Sequence, residues 1–127
     1  MKRNLATASL GIILILITGC SMKQLPDWYN VTGTGIAPPE ASLAQSKLKA
    51  KRAAILDGQR QLLEAAKGIH LSSETSVEDF MTKNDYIHSR VEGFIRTSEI
   101  LDTRHHDDGT CEVDMRIDMN KVRDIVR

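Results

Sequence analysis

His105-His106-Asp107-Asp108 sets two imidazoles beside two carboxylates, a donor set that suits Zn, Cu or Ni. Neighbouring residues of an extended loop project in different directions, so a third ligand would have to come from His70, His88 or elsewhere. No H-x-x-x-H pair at helical spacing supplies one. The cluster therefore reads as a polar hairpin tip, and no metal site is expected. Gly33-Thr34-Gly35 follows a strand-like run and resembles the start of a dinucleotide-binding fingerprint, but that pattern needs a third glycine where this chain has Pro38. A turn between strand and helix is the expected reading. There is no G-x-S-x-G elbow, no HExxH helix and no Cys/His pairing at a recognisable spacing. With 4% aromatic residues, a sugar-stacking or ligand-clamping platform is not expected either. The chain reads as a protein without catalytic residues or cofactor, not an enzyme.

Two cysteines remain, and their surroundings differ. Lys2 and Arg3 precede Leu10 to Ile17, an apolar run within the roughly 7–15 residues of a signal-peptide h-region and well short of the roughly 20 that span a bilayer. The run ends Ile17-Thr18-Gly19-Cys20, which resembles the lipobox of bacterial lipoproteins: an aliphatic residue, a small one, Gly or Ala, then Cys. That resemblance implies a diacylglyceryl group on the Cys20 sulfur, cleavage between Gly19 and Cys20, and N-acylation of the new terminus. Each buried methylene contributes about 0.8 kcal/mol, so three acyl chains make a firm membrane anchor. Ser21, rather than Asp, follows the lipidated position, which under the enteric-type retention rule favours the outer membrane. Cys111 is then the lone free thiol. It opens a strand-like alternation and reads as a small core residue, an intermolecular disulfide being the alternative.

The elements that would position these residues can be read along the 127-residue chain. Residues 1–19 are the signal, 20–28 a lipidated polar tether, and 29–127 a single domain. Tyr29 to Gly35 reads as a strand, stopped by Ala37-Pro38-Pro39. Leu48, Ile55, Leu62 and Ala66 make one face of a helix from about Ala41 to Lys67, with Gly68 at its end. Gly58 inside it hints at close packing. Its other side carries Lys47, Lys49, Lys51, Arg52 and Arg60, then Asp57 and Glu64, a solvated face. Ile69 to Val77 alternates like a strand, and Asp79 to His88 reads as a turn or short helix with Phe80, Met81, Tyr86 and Ile87 toward the core. Val91 to Thr103 and Cys111 to Met119 look like the arms of a hairpin closed at Asp108-Gly109. Asn120 to Arg127 would cap the domain. The fold expected is α+β: one long helix on a three- to four-stranded antiparallel sheet, with Leu48, Ile55, Leu62, Val113, Met115 and Ile117 in the core.

Net charge is zero, and removal of Met1 to Gly19 takes Lys2 and Arg3 with it, leaving 15 basic against 17 acidic side chains. A nucleic-acid partner is not expected at that balance. Val31 to Pro38, Lys51 to Glu64, Ser73 to Phe80, Val91 to Ile95 and Asp108 to Val113 together resemble the lipoprotein-twenty family of small bacterial outer-membrane lipoproteins. Asp57-Gly58 stands where that family often has Asp-Ala. The family includes a flagellar lipoprotein that assembles into outer-membrane-associated rings or disks around the motor. The resemblance implies a lipid-anchored protein facing the periplasm, associating with copies of itself or with flagellar and other envelope proteins. A monomeric accessory or binding module is the alternative.

Overall fold

The structure, a computed structural model, describes residues 24–39 and 42–127. It is α+β. Strand β1 (Trp28–Ile36) leads to helix α1 (Leu43–Lys67), then α2 (Val77–Lys83), α3 (Asp85–Arg96), β2 (Glu99–His105), β3 (Thr110–Asp118) and α4 (Met119–Ile125). The three strands form one antiparallel sheet in the order β1-β3-β2. β3 is central because its alternation is cleanest: Cys111, Val113, Met115 and Ile117 are buried, and the intervening residues face outward. The turn from β2 to β3 is made by Gly109, whose φ of 86° lies in the left-handed region that favours glycine.

α1 packs across β1 and β3. Its buried row is Ala50, Ala54, Gly58, Leu62 and Ala66, each one four residues on from the last. Against its first three members lie Gly33 and Gly35, buried on the same face of β1. A Cβ on Gly33 would collide with the Ala54 carbonyl oxygen and stand 2.5 Å from the Gly58 amide nitrogen. One on Gly35 would collide with the Ala50 carbonyl oxygen and stand 2.8 Å from the Ala53 Cβ. Helix backbone and strand backbone are therefore in contact, and only glycine permits it. The Gly33-Thr34-Gly35 motif is not a turn. It sits inside β1, with Thr32 and Thr34 on the opposite face.

Several expectations are corrected by this packing. There are four helices among the described residues rather than a single dominant one, and α1 spans 25 residues. Leu48 is 51% exposed, and Ile55 is only partly buried. The row of large residues seven apart gives way to a row four apart that is small at Ala50, Ala54 and Gly58, because close backbone approach there selects side chains by size before hydrophobicity. Ile69 to Val77 is not a strand beyond one bridge between His70 and Ser76. Ser76 instead caps α2, its hydroxyl accepting from the Asp79 amide while the Asp79 carboxylate accepts from the Ser76 amide. Val91 to Arg96 is helical rather than extended. Ile87, Val91, Phe94 and Ile95 line the inner side of α3, which Asn84 caps by accepting from the Tyr86 and Ile87 amides. Met81 is buried and Phe80 packs on the core, but Tyr86 is exposed beneath Arg90. The final helical segment forms as α4.

Gly33→Ala should destabilise by about 1–3 kcal/mol or more, because its clash is with rigid backbone. Gly58→Ala should cost less, since its close neighbour is the flexible Met115 thioether at 2.6 Å. Gly93→Ala, in the interior of α3 with nothing within 4 Å of the added methyl, should stabilise by about 0.4–1 kcal/mol. Thermal melts of the three variants check the order. A Gly33→Ala protein that melts like the parent would refute the backbone contact.

Candidate functional site

Gly19 and Cys20, the expected cleavage and lipidation residues, lie outside the described residues. At Leu25 the chain is already docked on the domain. The Leu25 carbonyl accepts from Asn120 Nδ2 at 2.8 Å, and the Asp27 carbonyl accepts from the Met119 amide at 2.8 Å. The Asp27 amide donates to Asp118 Oδ1 at 3.0 Å, and its carboxylate pairs with Arg123 at 2.8 Å. Asp118 also accepts from the Asn120 amide, so one carboxylate caps α4 and holds the incoming chain. Residues 25–28 of the expected 20–28 tether thus belong to the domain, Trp28 opening β1.

The face of the sheet turned away from α1 carries a polar lattice centred on Arg104. Its guanidinium donates to Asp114 at 2.6 and 3.1 Å, to Asp102 at 2.9 Å and to Glu112 at 3.2 and 3.3 Å. Thr32 donates its hydroxyl to Asp114 at 2.7 Å, tying β1 into the same lattice. Toward the sheet's other end, Arg116 lies 4.2 Å over the Trp28 ring and donates to Glu99 at 2.7 Å. Donation by Arg104 and Thr32 holds the Asp114 carboxyl at about 2, below its ordinary 3.8. Hydrogen bonds to Asp114, Asp102 and Glu112 push the Arg104 guanidinium up. One face of β3 was legible as polar, but Arg104 as its organiser was not, because β2 was expected to end at Thr103.

The two edges of the sheet are treated differently. On β1, the Thr34 amide donates to Asp57 Oδ2 at 3.1 Å, and the Thr32 carbonyl accepts from Gln61 Nε2 at 3.1 Å. Asp57 also accepts from Arg60 and Gln61, and the Thr34 amide is the main reason its carboxyl lies below the usual range. Side chains of α1 therefore occupy backbone groups that β1 does not give to β3. β2 pairs with β3 alone among the described residues, and it exposes Ile100 and Leu101. The register shifts between Ile100 and Asp102, so Leu101 is bulged.

The remaining candidates are dispersed. His105 and His106 stand at the hairpin tip, His106 lying 3.5 Å from Glu112, while His88 meets Glu92 on α3 and His70 bridges to Ser76. Among the described residues no three His, Cys, Asp or Glu side chains gather at metal-binding distance. Asp108 serves the turn, accepting from the Thr110 amide and hydroxyl. Cys111 is fully buried in the core, and burial pushes its thiol up. No helix among the described residues is long and apolar enough to cross a membrane. No family model, curated protein or solved structure matches the chain.

Because the folded Asp114 carboxyl is depressed, its stabilising contribution is fully present above the ordinary value of 3.8 and is lost as pH falls toward about 2. Asp114→Asn should flatten the acid limb of stability in that window and lower the melting temperature modestly at neutral pH. Denaturant melts of both proteins across that range check it.

Proposed function

We propose that the chain is an outer-membrane-anchored periplasmic lipoprotein with a structural role, held by lipid on Cys20 and associating with copies of itself through β2. The observation that carries the self-association is the asymmetry of the sheet: the β1 edge is occupied by Asp57 and Gln61, whereas the β2 edge is unpaired among the described residues and bears Ile100 and Leu101. Tethering supports it physically, since copies confined to one membrane meet at high effective concentration and weak edge contacts suffice. The anchor rests on the Ile17-Thr18-Gly19-Cys20 motif. The resemblance to the lipoprotein-twenty family extends the reading to a flagellum-associated ring or disk. The bulge at Leu101 favours the second reading, a monomeric accessory module, because bulged edges resist pairing.

Two experiments test the proposal. In a bacterial host with lipoprotein processing, the wild-type chain should incorporate labelled palmitate and sediment with membranes. Cys20→Ala should do neither, and equal behaviour would refute the anchor. For the assembly, Leu101→Cys should give disulfide-linked dimers on oxidation in cells, Cys111 being too buried to compete. Leu101→Lys in a detergent-solubilised preparation should shift the oligomer toward monomer. Monomer alone in both the cysteine variant and the wild type leaves the accessory module in front.

A further inference from the structure

We infer that the end of the domain formed by Leu25, Trp28 and Tyr29 is a membrane-docking surface that rests on the phospholipid interface beside the lipid anchor. The inference builds on the lipidation of Cys20 proposed above. Leu25 is five residues on from Cys20 in the sequence, and Leu25 is pinned to α4 through its carbonyl. An extended chain spans at most about 3.3–3.6 Å per residue, so this end of the domain lies within roughly 18 Å of the anchored sulfur. No other part of the fold is held to the bilayer by so short a connection.

What stands at that end suits an interface. Leu25 is 84% exposed, the Trp28 and Tyr29 side chains are each nearly half exposed, and Trp and Tyr rings favour the headgroup level, where one end is apolar and the other wet. The acidic groups there are already satisfied within the protein. Asp27 pairs with Arg123, Asp118 accepts from the Asp27 and Asn120 amides, and Glu99 accepts from Arg116, which itself covers the Trp28 ring. Docking would therefore strand no unpaired carboxylate against lipid.

The surface also fixes an orientation. β1 runs from Trp28 at the bilayer to Ile36, which pairs with Thr110 beside the hairpin tip. At about 3.3 Å per residue the His105–Asp108 tip then stands roughly 25–30 Å from the interface. Strands that rise from the membrane put the β2 edges of neighbouring copies at one height, as lateral association requires.

Trp28 is the sole tryptophan of the chain and reports its own surroundings. The full lipoprotein, purified from membranes, is reconstituted into phosphatidylcholine vesicles with and without brominated acyl chains, and flotation is measured on the same samples. The expected result is protein that floats, with Trp28 emission shifted to shorter wavelength than in the unlipidated domain and mostly quenched by the brominated chains. Leu25→Asp should float equally and lose most of that quenching. Floating protein with unquenched Trp28 overturns the docking surface while leaving the anchor intact, and a blue-shifted but unquenched Trp28 overturns it in favour of a protein cover. Failure to float overturns the anchor reading and this inference together.

Discussion

The backbone contact between β1 and α1 is the constraint on which the rest of the structure depends. Gly33 and Gly35 present bare Cα atoms to a helix stretch whose facing residues are Ala50, Ala54 and Gly58, and the two backbones meet without side chains between them. Larger residues in either row would lift the helix from the strand. With the helix this low over β1, Asp57 and Gln61 reach the Thr34 amide and the Thr32 carbonyl. The capped edge is thus a consequence of the glycines. So is the burial of Met115, whose thioether fills the space beside Gly58.

Capping one edge makes the sheet directional. α1 covers β1 and β3 but contributes little over β2, and the outer strand is held chiefly by its ladder to β3 and by Arg104. Arg104 joins three carboxylates on two strands, and Thr32 extends that lattice to the third. Exposed ion pairs are each worth little, about 0–1 kcal/mol. Their combination fixes the register of a strand that has few core side chains of its own. β2 is consequently held in register while its outer side stays accessible.

At the opposite corner, α4 and the incoming chain fasten each other. Asp118 ends β3, caps α4 and receives the Asp27 amide, so the entry to the domain and its last helix form one unit. This places Trp28, the first residue of β1, directly after the docked segment. That single carboxylate couples the entry of the chain, the end of β3 and the start of α4.

By itself the sequence determined what local patterns encode. The helix before Gly68, the two-residue alternation from Cys111, the Asp108-Gly109 turn and the α+β class were all legible, because each depends on neighbours in the chain. Leu62, Val113, Met115 and Ile117 were placed in the core correctly for the same reason. Val91 to Arg96 was misread because its apolar residues satisfy a strand pattern as readily as a helical one, and the Asn84 cap that decides between them is a single side chain. Which face of α1 turns inward was decided only in three dimensions. Size complementarity with Gly33 and Gly35 outweighed the hydrophobicity of Leu48, and that preference exists only where two distant segments touch. The Arg104 lattice, the capped β1 edge and the docked entry segment belong to the same class. Each joins residues from well-separated parts of the chain, and no local spacing encodes such a pairing.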